Sequence, residues 1–455
     1  MDSSSLPQPD RRAAWWAWPV ILLVPLLLII AERFIPAAEE ESGGQQDLSL
    51  LALLQVQAKV LIAMDSAPGT GDARKELRQL EDHVRDDETA GAVAVMHGFL
   101  GLEDGGREAV ELVLANRRKD PGADKLFLAS VEDAALNGVD ESGRAKLRER
   151  LGWFADLPGV PGEPENVPEG ARLRSNATLL VMLLGLAMFA GFLAVLTGAA
   201  LLLYAVISRG SGRLRLAFDS NQAPAGVFLE SFAIFLATMA LGNIGGWTLH
   251  WVLQPVFSLG GLALALAWPK IRVEAWRDTR RSMGWTRGRG IFREIGAGFV
   301  GYIVMLPMAV IGIAMTALLI ALSSLFKNGG GDSATMATPE PVTHPIVGWM
   351  LGGWEVKLLA FVFAAILAPV IEETFFRGQF FRHLRSKTGL FVAGMLNGLI
   401  FASLHPQGWL AIPALTMMGF GFACIREWRD SLIAPMTAHA INNGLLVAGL
   451  ALALS

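Results

Sequence analysis

Cysteine is almost absent. Cys424 is the only one in 455 residues, so no internal disulfide can form and no cysteine-based zinc site can be built. Charge is scarce too: 18% of residues are Asp, Glu, Lys or Arg, and the net charge is -4, a balance with no footprint for a nucleic-acid partner. No β-rich pattern occurs, and the His-Glu-x-x-His signature of helical zinc proteases is missing. No serine or cysteine shows a supporting base arrangement; Ser403 near His405 is a weak candidate nucleophile and reads first as a helix-backbone hydrogen-bonding residue. What the chain has in excess is apolar sequence. Hydrophobic residues make up 53%, and several runs exceed about 18 residues, which predicts an all-α polytopic membrane bundle and not an ordinary soluble protein.

The first apolar run, 15–31, follows Arg11 and Arg12 and leads directly into Glu32 and Arg33 with no small-residue cleavage site. It predicts an uncleaved anchor within residues 1–35. From 36 to 174 charges become frequent, and Leu50, Leu53, Leu54, Gln57, Val60, Leu61 and Met64 recur at helical spacing. Further helices are expected near 72–84, 89–100, 107–116, 124–136 and 141–154, so this stretch reads as an extramembrane α-helical domain. Pro158, Gly159, Pro161, Gly162, Pro164 and Pro168 mark an extended linker at its end. His83, His97 and the acidic run Glu39-Glu40-Glu41 read as solvated groups without chemistry.

Membrane spans are then expected near 178–207, 227–241, 247–268, 295–326, 356–381, 390–404, 410–425 and 433–454, eight spans, or nine with the anchor. Residues 175–294 would hold accessory spans and a basic loop, and 295–455 the last domain. Alternate loops carry nearly all the Lys and Arg: Arg209 to Arg215, Lys270 to Arg293, Arg382 to Lys387, and Arg426 with Arg429. The positive-inside rule therefore places the N-terminus in the cytoplasm and 36–174 outside it, in a bacterium across the inner membrane.

Within this apolar setting, Glu372, Glu373 and Arg377 stand out. Each ionised group in hydrocarbon costs ~2.5 kcal/mol or more. Glu373 and Arg377 are i,i+4 and can neutralise each other, which leaves Glu372 on a different face. Helical rise puts the two glutamates about 18 Å from the basic end of their span, His405 about 24 Å along the next, and His439 and Asn443 about 10 to 17 Å along the last. Phe401 and His405, like His439 and Asn443, are i,i+4 pairs, and Asn442 reaches the same helix face as the alternative to Asn443. Glu, His, His and Asn thus share one layer of the bundle interior. A buried salt bridge and helix-helix hydrogen bonds would use these residues structurally, and His250 and Glu230 in other spans carry only that reading. The alternative is hydrolysis. A carboxylate base activates water, and His and Asn orient it and stabilise the oxyanion; zinc held by Glu372, His405 and His439 is the rival arrangement.

Glu372-Glu373-x-x-x-Arg377, Phe401-x-x-x-His405 and His439-x-x-x-Asn443 together resemble the CAAX protease and bacteriocin-processing family of intramembrane glutamate endopeptidases. The resemblance extends over about 295–454, with Gly378 also typical. It implies that Glu372 activates water with help from His405, that Glu373 and Arg377 support it, and that His439 and Asn443 stabilise the oxyanion without a metal or other cofactor. Family members cut prenylated C-terminal motifs in eukaryotes, and in bacteria are linked to peptide maturation or bacteriocin self-immunity. The expected partners are a membrane-embedded or membrane-associated peptide or protein substrate, the lipid bilayer, and a protein that docks on 36–174. A non-catalytic membrane binding or immunity protein is the alternative function.

Overall fold

The structure, a computed structural model, describes residues 14–34, 43–66, 72–100, 105–158, 168–218, 225–248, 250, 252–272, 275–327, 346–405 and 407–455. The expected linker from Gly159 to Pro164 and the acidic run at Glu39 to Glu41 lie outside these residues, as does the side chain of His83. Among the described residues every regular element is helical: α1 (Ala17–Phe34), α2 (Gly43–Ser66), α3 (Ala73–Leu80), α4 (Asp87–Leu100), α5 (Gly105–Arg118), α6 (Lys125–Asn137), α7 (Glu141–Leu151), α8 (Pro168–Gly210), α9 (Ala225–Thr248), α10 (Leu253–Arg272), α11 (Trp276–Met283), α12 (Ile291–Lys327), α13 (Ile346–Met350), α14 (Trp354–Val362), α15 (Ala368–Glu373), α16 (Phe381–Arg385), α17 (Leu390–Ser403), α18 (Ile412–Arg429) and α19 (Ile433–Ala453).

Two compact units form. One holds Met1–Ala37, Phe192–His344 and Leu359–Val447; the other holds Ala38–Gly191, Pro345–Leu358 and Ala448–Ser455. The second is centred on α4, whose run of Ala, Gly and Val is buried almost throughout. Small residues let its neighbours approach closely: a Cβ on Gly98 would lie 2.5 Å from the Ala135 carbonyl oxygen of α6. Side-chain caps start the helices around it. Asp124 accepts from the Phe127 amide at 3.0 Å and Asp140 from the Gly143 amide at 2.8 Å, each satisfying an N-terminal donor that the helix leaves free.

In the first unit α1 is a packed member of the bundle. Ala17 and Ile21 are fully buried, and Trp18 meets Phe380 and His383 edge-on with ring centroids 6.2 and 5.9 Å apart. The core beside it is aromatic, with Phe235 stacked on Phe375 at 4.0 Å and Phe232 on Phe380 at 4.6 Å. Glu230 takes the helix-helix role: its carboxylate accepts from Trp268 Nε1 at 2.8 Å and lies 3.4 Å from Arg272 Nε.

This is an integral membrane protein, but the expected eight to nine spans are not all found. Among the described residues six helices are long and apolar enough to cross a membrane, or seven if the pair α10 and α11, bent by 117°, counts as one span. The apolar stretch of α1 and helix α17 are shorter. The physical reason for α17 is its end: it stops after 14 residues, because His405 precedes a proline and such a residue is turned away from helical geometry.

His97 gives the second unit a pH response. It is buried, with Nε2 3.0 Å from Glu81 Oε1. Desolvation, and then the Arg78 cation, hold its pKa down to about 4 from 6.5, so near neutrality the imidazole is uncharged and the contact is not an ion pair. Desolvation also raises the Glu81 carboxyl above its ordinary value. The unfolded chain protonates His97 below 6.5 and the folded chain only near 4; the stability held by the neutral ring is complete above that window and is lost across it as pH falls, about 3 kcal/mol in all. Glu81 acts in the opposite sense and gives up stability as pH rises through its folded value. Thermal unfolding of the full chain should therefore show a fall in Tm on acidification through this window, and His97→Gln should flatten it.

Candidate active site

The helix from Trp354 to Arg385 is interrupted by two π-helical turns, Phe363–Leu367 and Thr374–Phe380, which flank Glu372 and Glu373 on α15. Proline accounts for the first. Pro369 has no N–H to donate, and the Ala368 amide bonds the Phe363 carbonyl, so the Ala364 carbonyl is left without a donor from its own helix. Asn443 Nδ2 of α19 fills that place at 2.9 Å. In the second turn the Phe376 carbonyl takes the Phe381 amide and also Asn397 Nδ2 of α17, at 2.8 Å. Each turn therefore has one carbonyl held by an asparagine from another helix. Such π turns occur often at functional sites.

Arg377 and Glu373 are both completely buried. Arg377 Nη1 donates to Glu373 Oε1 at 2.9 Å and Nη2 to the Gly419 carbonyl at 3.0 Å. The guanidinium lies over the rings of Phe401, Phe422 and Phe376, 4.7, 5.1 and 5.7 Å from their centroids, faces that favour a cation. At Gly419, α17 and α18 cross in near contact. Glycine permits this: a Cβ on Gly398 would sit 2.4 Å from the Thr416 carbonyl oxygen, and one on Gly419 2.7 Å from Gly398 Cα.

His439 Nδ1 also lies on Glu373 Oε1, at 2.9 Å. A carboxylate only accepts, so Nδ1–H donates and Nε2 is left facing Glu372 Oε2 at 3.7 Å. Phe422 stacks on the imidazole, with centroids 4.7 Å apart and planes 20° from parallel. Glu372 is the less enclosed of the two glutamates, its side chain 27% exposed, and its Oε2 has no hydrogen-bond partner among the described residues. His405 is placed just beyond α17, where its Nδ1–H donates to the Phe401 carbonyl at 2.7 Å; among the described residues it makes no ion-pair contact with Glu372. Asn442 Nδ2 donates to Asn443 Oδ1 at 3.2 Å.

Of the residues singled out from the sequence, Glu372, Glu373, Arg377 and His439 are thus in mutual contact. His405 approaches through the shared Phe401 ring, which lies 4.3 Å from His405 and 5.9 Å from His439 by centroid, and Asn443 is engaged on the backbone beside them. Sequence reasoning missed Asn397, although it extends the four-residue spacing of Phe401 and His405 back by one turn in an otherwise apolar run. It also missed Trp285, whose Nε1 donates to Thr374 Oγ1 at 3.1 Å and which no local pattern connects to the site. As to zinc, no group of three His, Cys, Asp or Glu side chains gathers as a metal site among the described residues; Glu372, His405 and His439 do not form a ligand set here.

Residues 354–445 match the family model described as Type II CAAX prenyl endopeptidase Rce1-like. All three motifs lie inside the match, so the resemblance read from them is shown for the C-terminal part of the chain, over a shorter stretch than the motifs suggested. Among curated proteins, "Putative membrane peptidase YdiL" of Bacillus subtilis (strain 168) is 32% identical over 89 residues, 20% of this chain and 36% of that protein. "Uncharacterized protein YpbD" of the same organism is 36% identical over 83 residues, 18% of this chain and 40% of that protein. The matched region spans well under half the length of either relative. No solved structure matches the chain.

Removing one partner of the buried pair leaves the other charge stranded. Arg377→Leu is expected to destabilise the detergent-solubilised protein by about 3–5 kcal/mol, and Glu373→Gln combined with it to recover much of the loss. Guanidinium denaturation of the two variants checks this; equal losses in the single and double variants would remove the pair from its supporting role.

Proposed function

We propose that the Rce1-like region makes this integral membrane protein an intramembrane endopeptidase in which Glu372 activates water to hydrolyse a peptide bond of a membrane-associated substrate. The observation that carries the reading is the asymmetry of the two glutamates. Glu373 is completely buried with its charge met by Arg377 and its Oε1 shared with His439, whereas the Glu372 side chain is 27% exposed, forms no ion pair with an arginine or lysine among the described residues, and has Oε2 3.7 Å from His439 Nε2. That gap is too long for a direct hydrogen bond and suits a bridging water.

In the proposed reaction the oxygen of this water attacks the scissile carbonyl carbon while Glu372 takes a proton from it. His405, its Nδ1–H fixed on the Phe401 carbonyl, presents Nε2 to orient the same water. The oxyanion of the tetrahedral intermediate accepts from the second N–H of Asn443 and from Nε2–H of a doubly protonated His439. The carbon–nitrogen bond then breaks, and the leaving amine takes the proton that Glu372 holds. The buried Glu373–Arg377 pair keeps the His439 ring in the orientation this requires, and no step is routed through a metal. The orientation with a cytoplasmic N-terminus in a bacterial inner membrane, with 36–174 as an outer surface for substrate or a protein partner, belongs to this proposal and rests on the distribution of Arg and Lys.

Glu372→Gln keeps the shape of the side chain and removes the base. It is expected to lower cleavage by at least about a hundredfold while leaving expression and Tm intact, read by comparing membrane peptide profiles of cells that express either form. A broad profile with no difference would speak against a peptidase. Metal analysis of the purified protein supplies the second check: the expected result is no stoichiometric zinc, and zinc that is lost in His405→Ala would overturn the metal-free mechanism.

A further inference from the structure

The loop between α10 and α12 carries the densest positive charge on the molecule, and the site does not use it. Arg277, Arg280, Arg281, Arg287 and Arg293 are exposed, and their side chains form no ion pair among the described residues. Among the described residues two acids lie nearby. Asp278 is exposed, while Glu294 is buried and taken at both oxygens by Arg429, at 2.9 and 2.7 Å. Bulky apolar groups alternate with the arginines: Trp276 and Trp285 are 45% and 47% exposed and Phe292 is 89% exposed. Helix α11 is seated by Thr279 and Met283, which are buried, so its basic face points outward.

Two chemistries meet in this loop. Exposed indole and phenyl rings beside arginines, at the ends of two apolar helices, match the boundary between acyl chains and headgroups. A soluble acidic partner would satisfy the charge and leave Phe292, already inside the first turn of the membrane helix α12, unexplained. The inner side of the same loop is bonded to the site helices. Trp285 Nε1 donates to Thr374 Oγ1, next to Glu373, at 3.1 Å; the Leu432 amide donates to the Gly284 carbonyl and Ser431 Oγ to the Thr286 carbonyl, both at 2.9 Å, immediately before α19 and His439.

We propose that residues 276–293 form a docking surface for anionic phospholipid headgroups, and that lipid held there braces the loop against the helices bearing Glu373 and His439. Opposite charge near a membrane surface supplies the attraction, and salt screens it. The proposal stands on the position of the loop and not on the peptidase reading, and a chain without peptidase activity would still show it.

The test uses the purified full chain in neutral detergent, to which phosphatidylglycerol or phosphatidylcholine is added at equal mole fraction. Phosphatidylglycerol is expected to raise Tm by several degrees more than phosphatidylcholine, with the difference shrinking in high salt. Replacing all five arginines by Gln should abolish the difference, and replacing them by Lys should keep it. If the Gln variant does not fold, the triple change at Arg277, Arg280 and Arg281 alone should reduce it. Hydrogen exchange at Gly284 to Thr286 and at Leu432 should slow with phosphatidylglycerol. Equal responses to the two lipids, a Gln variant that responds like wild type, or the same stabilisation from soluble glycerol phosphate would overturn the proposal.

Discussion

A guanidinium cannot be left alone in an apolar interior, and much of the site follows from how Arg377 is accommodated. It needs a counter-charge, a carbonyl and polarisable faces, and it finds Glu373, Gly419 and three phenylalanines. Each partner imposes a further condition. The carbonyl belongs to a glycine, where a Cβ would lie 3.3 Å from Arg377 Nη2 and 2.7 Å from Gly398 Cα of α17. The counter-charge, once fixed, also orients His439 through Nδ1, and that orientation turns Nε2 toward Glu372. The desolvation cost of such a pair is large enough that its presence says little about stability. What it secures is geometry: one carboxylate is fully buried against a cation, and its neighbour along the chain is the more exposed of the two.

Much of this was legible in the sequence because i,i+4 spacing survives folding. The Glu373–Arg377 pair and the polar layer across the last helices follow from helical rise and from the scarcity of charge around them. The π turns did not, because apolar periodicity carries no mark of a shifted hydrogen-bond ladder; Pro369 was the only local sign of one. Asn397 was passed over because a lone amide in an apolar run ordinarily bonds a neighbouring helix, which is also what it does, on the one carbonyl where that matters. The contact of Trp285 with Thr374 joins residues far apart in sequence, and only the folded chain reveals it. So too the grouping of 345–358 and 448–455 with residues 38–191 depends on long-range packing. Among the described residues six or seven helices are long enough to span, and the expected eight to nine are not confirmed because apolar length does not fix helix length.

The two asparagines change how the motifs are understood. Asn443 was selected as a donor for chemistry, yet one of its N–H groups is already employed on the carbonyl that Pro369 leaves unpaired. Its position is thus anchored before any substrate arrives, which is the preorganisation that electrostatic stabilisation of a transition state requires. Asn397 does the corresponding service on the other side of the glutamates. The short α15 between the two π turns is held from two directions by groups that belong to different helices.

Helix α17, at 14 residues, is about 21 Å long against a hydrocarbon thickness of about 30 Å. A helix that falls short of its membrane draws the bilayer inward beside it, and polar headgroups and water come with it. The short end is the one that carries His405. Under the proposed function, hydrolysis in a membrane depends on a supply of water, and a bilayer thinned beside α17 would shorten the path from bulk solvent to the glutamates.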